Sequence, residues 1–118
     1  MQIVSVKGIW RAAKYSVSGI LYLCGERAFR QELALGIILI AIEFFRDTPG
    51  NLRLYLFSSY CIILITEAIN TAIETVINRI STDYHELSKK AKDIGSAAVI
   101  IAIAHFIFVF GYSFMKYL

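Results

Sequence analysis

Residues 52–80 read LRLYLFSSYCIILITEAINTAIETVINRI, and this stretch decides what kind of protein the chain is. After Arg53 it is almost entirely apolar until Glu67, Asn70 and Glu74. Those three stand at i, i+3 and i+7, which places them on one side of an α-helix. A carboxylate near the centre of a bilayer costs at least roughly 2.5–3.5 kcal/mol on insertion scales. Two of them with an amide, all aligned, point to a functional stripe, the default reading of ionisable residues inside a membrane. The plainer alternative is a protonated Glu67 that only hydrogen-bonds a neighbouring helix.

The composition agrees with a membrane protein. Of 118 residues 58% are hydrophobic, where a soluble domain has about 45–50%. One Pro and 7 Gly leave few helix breakers. A single all-α integral membrane domain over residues 1–118 is expected. Basic residues are scattered through Met1–Cys24, so no cleavable signal peptide is expected there. Cys24 and Cys61 have no metal-type spacing and read as two buried thiols.

Working outward from the stripe, RDTPGNLR (46–53) is a turn in which Pro49 fixes φ and Gly50 permits positive φ. The helices on either side should form an antiparallel hairpin. LALGIILIAIEFF (33–45) is short for a span alone, but extended back through Phe29 and Ala28 it reaches the needed length. STDYHELSKKAK (81–92) reads as a polar loop, with Asp93 or Ser96 capping the last span. The expected transmembrane helices are therefore 27–46, 53–80 and 94–116. Ahead of them, Lys7, Arg11, Lys14 and Ser18 recur at helical spacing, with Val6, Trp10, Ala13, Val17 and Leu21 on the other side. Residues 1–25 are read as an amphipathic helix lying on the membrane surface. His105 is the one titratable group of the last span, and a lone His on an apolar helix is ordinarily a packed residue.

Lys and Arg set the orientation. Nine lie in the N-terminal region and near the 81–92 loop, against Arg46, Arg53 and Lys116 on the other side. The N-terminus is expected in the cytoplasm and the C-terminus outside. Glu74 then lies near the inner surface, with Glu67 about 10 Å deeper at 1.5 Å per residue. Glu26, His85, Glu86, Lys92 and Asp93 flank that level. Carboxylates suit a hard divalent cation, lysines suit phosphate, and a deep carboxylate suits proton abstraction from a lipid alcohol. No Gly-rich phosphate loop or soluble-kinase motif is present. On residues alone, a lipid kinase stands beside a proton or ion pathway.

EAINTAIETVINRI (67–80), YHELS (84–88), AKDIGSAA (91–98) and the upstream ERAFRQE (26–32) together resemble the prokaryotic diacylglycerol kinase family, from about Arg11 to the last span. The resemblance implies a homotrimer of three-span subunits, each with an amphipathic N-terminal helix, in the bacterial inner membrane with a periplasmic C-terminus. It implies ATP-dependent phosphorylation of diacylglycerol to phosphatidic acid, with Mg²⁺ and no nucleic-acid partner. Carried over by position, Glu67 is the general base, and Glu26 and Glu74 are the metal ligands. Tyr84, His85, Glu86, Lys92 and Asp93, with the same two carboxylates, surround ATP. Arg11, Ser16, Asn70 and Ser96, with Glu67, take the lipid. The chain departs from the family pattern at Asn78, where an Asp is expected, so a changed local hydrogen bond or ion pair is expected there. Undecaprenol kinase is the related alternative, and ERAFRQE favours the diacylglycerol enzymes over it.

Overall fold

The structure is a computed structural model that describes residues 5–117. It contains four helices: α1 Val6–Cys24, α2 Arg27–Phe45, α3 Gly50–Ile80 and α4 Glu86–Lys116. The described residues contain no strand. The expected surface helix begins at residue 1, and its residues 1–4 lie outside the described residues. The chain divides into two compact units, residues 1–33 and 34–118, with the division falling inside α2.

In the first unit, Ser5 caps α1 by accepting a hydrogen bond from the Gly8 N–H at 3.0 Å. Lys14 Nζ lies 5.5 Å from the centre of the Trp10 ring, so the basic and apolar faces of α1 meet at that pair. Arg30 reaches back to close α1, donating to the carbonyls of Cys24 at 3.1 Å and Gly25 at 2.9 Å. A cation at orphan C-terminal carbonyls is favourable. Cys24 is exposed, contrary to the expectation of a buried thiol, because it ends the helix; Cys61 is half-buried.

The second unit is built on an antiparallel seam between α3 and α4. Leu52, Leu56, Ser59, Tyr60, Ile63, Asn70 and Ile77 are the buried positions of α3. Apart from Tyr60, which follows Ser59 directly, their spacings of four, three and seven follow the 3.5-residue repeat of helices packed side by side. Gly95, Val99, Ala102 and Ser113 answer from α4. Tyr60 meets Phe106 edge-on at 6.3 Å, and Phe106, Phe110 and Phe114 stack one turn apart along α4. A side chain on Gly36 would overlap the Tyr60 ring, so the ring of α3 lies directly against the backbone of α2 there.

Two boundaries differ from the sequence reading. Gly50 opens α3 directly after Pro49, and no glycine among the described residues has positive φ. Proline just ahead of a helix already has helical φ and needs no donor, so the turn does not need glycine's freedom. The segment 86–92 is helix, not loop. His85 caps it, its Nδ1 accepting from the Leu87 N–H at 3.1 Å, and Glu86 sits in the first turn. Asp93 and Ser96 therefore cap nothing. Polarity there reports solvent; Glu, Leu, Lys and Ala are good helix formers.

Two helices, α3 and α4, are long and apolar enough to cross a membrane. Only 17% of the apolar stretch of each is buried within the chain, so they are not the core helices of a soluble protein. In α3 the hydroxyls of Ser59, Thr66 and Thr75 all bond carbonyls three or four residues back, so these three donors are satisfied within the helix. α2 is equally apolar over most of its length but carries four charged residues, Arg27, Arg30, Glu32 and Glu43, among its 19.

Glu43, passed over in the sequence as part of an apolar run, is buried. Arg46 Nη1 donates to its Oε1 at 2.6 Å and Thr48 Oγ1 donates to its Oε2 at 3.1 Å. Arg46 also donates to the carbonyls of Ser113 at 3.1 Å and Tyr117 at 3.2 Å, and lies over the Phe114 ring. Arg53 donates to Thr48 Oγ1 at 3.1 Å and to the Arg46 carbonyl. One buried ion pair thus ties the end of α2, the turn, the start of α3 and the end of α4. Arg46→Ala leaves the Glu43 carboxylate buried without its counter-charge, and should lower stability by about 3–5 kcal/mol. In detergent-unfolding titrations the double variant Glu43→Leu/Arg46→Ala should recover most of that loss.

Candidate functional site in the polar stripe of α3

The stripe forms as the spacing requires. Asn70 is buried, and Glu67 and Glu74 are half-buried on the same side of α3. Asn70 Nδ2 donates to Glu74 Oε1 at 3.2 Å, one turn further on. A carboxylate only accepts, so this bond fixes which end of the amide is which. The other end, Oδ1, is buried and has no hydrogen-bond partner. It faces Gly95 of α4, where an added Cβ would overlap it. A buried carbonyl without a donor costs about 1–3 kcal/mol, so the amide is held in place by the packing and by its bond to Glu74. No hydrogen bond or ion pair engages Glu67 among the described residues.

One turn beyond Glu74, Asn78 Oδ1 accepts from Lys92 Nζ at 3.1 Å, bridging α3 to the first turns of α4. Asn70, Glu74 and Asn78 recur at four-residue intervals, and Lys92 and Gly95 face them from α4 at three. These residues form one continuous polar end of the α3–α4 seam. The changed contact expected at Asn78 is this bond to a neutral acceptor. Sequence reasoning named Lys92 but not its link to Asn78, and it quoted Gly95 only as a motif letter. The signal for Gly95 was a glycine inside a helix, which costs about 1 kcal/mol against Ala and marks a close approach.

The remaining sequence candidates of the second unit are not gathered at this seam. Tyr84 is 80% exposed and His85 is engaged in capping. Glu86 is exposed in the first turn of α4. Asp93 is exposed and pairs with Lys89 at 2.6 Å on its own helix, an arrangement of at most about 1 kcal/mol at a surface. Ser96 is exposed beside Gly95. Arg11, Ser16 and Glu26 belong to the first unit: Arg11 is exposed, the Ser16 hydroxyl bonds the Ala12 carbonyl at 2.9 Å, and the Glu26 carbonyl accepts the first bond of α2 from Arg30 at 3.1 Å. His105 is exposed on α4, contrary to the expectation of a packed residue. A cavity of about 230 Å³ in the second unit is lined by Leu39, Leu56, Tyr60 and Phe106 and lies at the Glu43 end. It is apolar, and the stripe residues do not line it.

A long apolar helix carrying a carboxylate–amide–carboxylate face, with a lysine from the next helix at its polar end, defines a small membrane protein built for chemistry near its surface. Residues 14–114 match the sequence model of the prokaryotic diacylglycerol kinase family. A diacylglycerol kinase of Escherichia coli (strain K12) is 45% identical over 96 residues, 80% of this chain and 79% of that protein. A diacylglycerol kinase of Pseudomonas aeruginosa is 40% identical over 99 residues, 83% and 80% of the two chains. One of Helicobacter pylori is 32% identical over 107 residues, 89% and 83%. The chain belongs to the prokaryotic diacylglycerol kinase family, and it is an enzyme of that kind.

The Asn70–Glu74 bond makes a charge prediction. Asn70→Asp replaces the donor of that bond with a second acceptor and sets two carboxylates side by side on α3. The variant should therefore be less stable than the parent by about 1–3 kcal/mol. Thermal unfolding of both proteins measures it.

Proposed function

We propose that this chain transfers the γ-phosphoryl group of ATP to the free hydroxyl of diacylglycerol, giving phosphatidic acid and ADP at the cytoplasmic face of a bacterial inner membrane. The observation that carries this reading is the stripe itself. A family member keeps Glu67 two turns deeper in an apolar helix than Glu74, and holds Glu74 by the Asn70 amide at 3.2 Å.

In this reading Glu67 takes the proton from the lipid hydroxyl as its oxygen bonds the γ-phosphorus, and the bond to the bridging β-oxygen breaks with ADP as leaving group. Its depth suits a substrate that arrives from the lipid. Lys92 holds phosphate; its neutral partner Asn78 positions the ammonium without cancelling its charge. Tyr84, His85, Glu86 and Asp93 border the nucleotide. Arg11, Ser16, Asn70 and Ser96 contact the lipid.

Mg²⁺ fits the donors present. Asn70 occupies only Oε1 of Glu74, and Oε2 makes no hydrogen bond among the described residues. Among those residues no three His, Cys, Asp or Glu are grouped to cage a metal. Mg²⁺ usually takes one or two carboxylates, keeps its water and is completed by substrate phosphates, so Glu74 with Glu26 is a sufficient protein share. When bound, the ion would neutralise charge on the transferred group.

The proposed assembly is a homotrimer of single-domain subunits, residues 1–118, with α1 on the membrane surface and α2, α3 and α4 spanning it, N-terminus inside. The span of α2 is supported by the pairing of Glu43. With that carboxylate neutralised by Arg46, residues 28–45 offer about 27 Å of helix at 1.5 Å per residue.

The test is phosphoryl transfer from radiolabelled ATP in mixed micelles, with diacylglycerol or undecaprenol as acceptor. Product with diacylglycerol and dependence on Mg-ATP are expected. Preference for undecaprenol would reassign the substrate, and no transfer to either alcohol would favour an ion or proton pathway. Glu67→Gln should fold normally and lose a factor on the order of 10² or more in turnover.

Subunit sharing has its own test. Glu26→Gln and Glu67→Gln subunits, each inactive alone, should regain part of the activity when mixed, if one site draws on two chains. Exchange is verified by cross-linking two tagged forms. Exchange without recovery would place each site within one chain.

A further inference from the structure

At Gly95, α4 presents bare backbone to the stripe. It is buried, and a Cβ built on it would overlap Asn70 Oδ1 and lie 3.3 Å from Asn70 Cγ, with Ile73 Cδ1 at 3.7 Å. Gly19 of α1 and Gly111, sixteen residues further along α4, would meet nothing within 4 Å. Space alone therefore does not explain glycine on these helices, and at position 95 the obstacle is one particular side chain. That side chain has a second task, because its Nδ2 holds Glu74 Oε1 at 3.2 Å. Its Oδ1 is buried and accepts no hydrogen bond. No polar partner on α4 keeps the amide in register; the absence of a side chain on Gly95 does.

We propose that Gly95 is a positioning residue of the phosphotransfer site, its bare Cα seating the Asn70 amide so that Nδ2 orients the Glu74 carboxylate. The effect runs in one direction along a short path. Any side chain at 95 pushes Asn70 out of the seam, the amide turns or withdraws, and Glu74 loses the bond that sets its free oxygen. α4 itself has no need of glycine there, since alanine is the better helix former. The role assigned to Glu74 rests on the function proposed above; the seat beneath it does not.

The test is a double-mutant cycle on the full-length protein: parent, Gly95→Ala, Asn70→Ala and the pair, with Gly111→Ala as the control on the same helix. Three readings are taken: thermal midpoint, Mn²⁺ affinity by electron paramagnetic resonance with a non-hydrolysable ATP analogue, and turnover with KM for the lipid. Gly95→Ala should weaken Mn²⁺ binding and lower kcat by about tenfold or more, in the range of losing a partner that orients a metal ligand, and the displaced Asn70 should raise the lipid KM as well. Gly111→Ala should behave as the parent. In the Asn70→Ala background the added methyl has room, so Gly95→Ala should cost less than about twofold in every reading. If Gly95→Ala alone fails to fold, the pair should fold as Asn70→Ala does. An equal cost in both backgrounds, a pair that stays unfolded, or a Gly95→Ala protein with parental Mn²⁺ affinity and kcat would overturn the proposal. If Glu74→Gln leaves Mn²⁺ affinity unchanged, the metal role of Glu74 fails, and the thermal coupling between positions 70 and 95 still decides whether the seat exists.

Discussion

Hydrocarbon offers a polar group no solvent, so each one must be answered by the protein, and the second unit is organised around where its polar groups find answers. At one end the answer is complete. Glu43 has Arg46 and Thr48 on its two oxygens, and Arg46 spends its remaining donors on the carbonyls that end α4. At the other end it is deliberately partial. Glu74 has one oxygen held by Asn70, and Asn70 has one end bonded and one end merely packed. A closed ion pair suits a fastener. A carboxylate with one oxygen fixed and the other open suits binding, since its direction is set while an acceptor stays available.

Between the two ends the seam is sorted by size. Near the fastener the spacing is filled by rings, with Tyr60 against Phe106 and a stacked row continuing to Phe114 beneath Arg46. Near the stripe the facing residues shrink to Gly95, Val99 and Ala102. Rings set helices apart and small residues let them close. The stripe therefore sits where α3 and α4 can approach most nearly, and an amide there is gripped by backbone instead of by a partner side chain.

The sequence made the helices legible and left the polar joins hidden. α3 and its aligned residues could be read because period and spacing are local properties of the chain. The start of α4 could not, since KK and HEL were weighed by polarity when helix propensity and the His85 cap govern conformation. Gly50 misled for a related reason: glycine permits positive φ without requiring it. Glu43, Thr48, Arg53 and Ser113 were invisible as a set, because Ser113 lies 67 residues from the arginine it meets. Asn78 and Lys92, 14 apart, are joined only once α3 and α4 are laid side by side. Among the site candidates, those on α3 were found by spacing, and those at 84–86 and 93 were placed near the seam's end without being drawn into it.

The fastener also bears on how the proposed orientation is reached. Counting Lys and Arg by side treats Arg46 and Arg53 as free positive charges outside. Neither is free. Arg46 is bound to Glu43, and Arg53 is bound to Thr48 and to the Arg46 carbonyl. Residues 43–53 hold Glu43, Arg46, Asp47 and Arg53, two charges of each sign and no net charge. Lys116 is the remaining cation on that side, and it lies over the Tyr112 and Tyr117 rings. Among the nine cations of the other set, Arg30, Lys14 and Lys92 also have polar or ring contacts, but Lys89 alone makes an ion pair within the described residues. In the proposed orientation it is this self-neutralised turn that would lie outside. One set of contacts thus fastens three helices and leaves their turn without net charge.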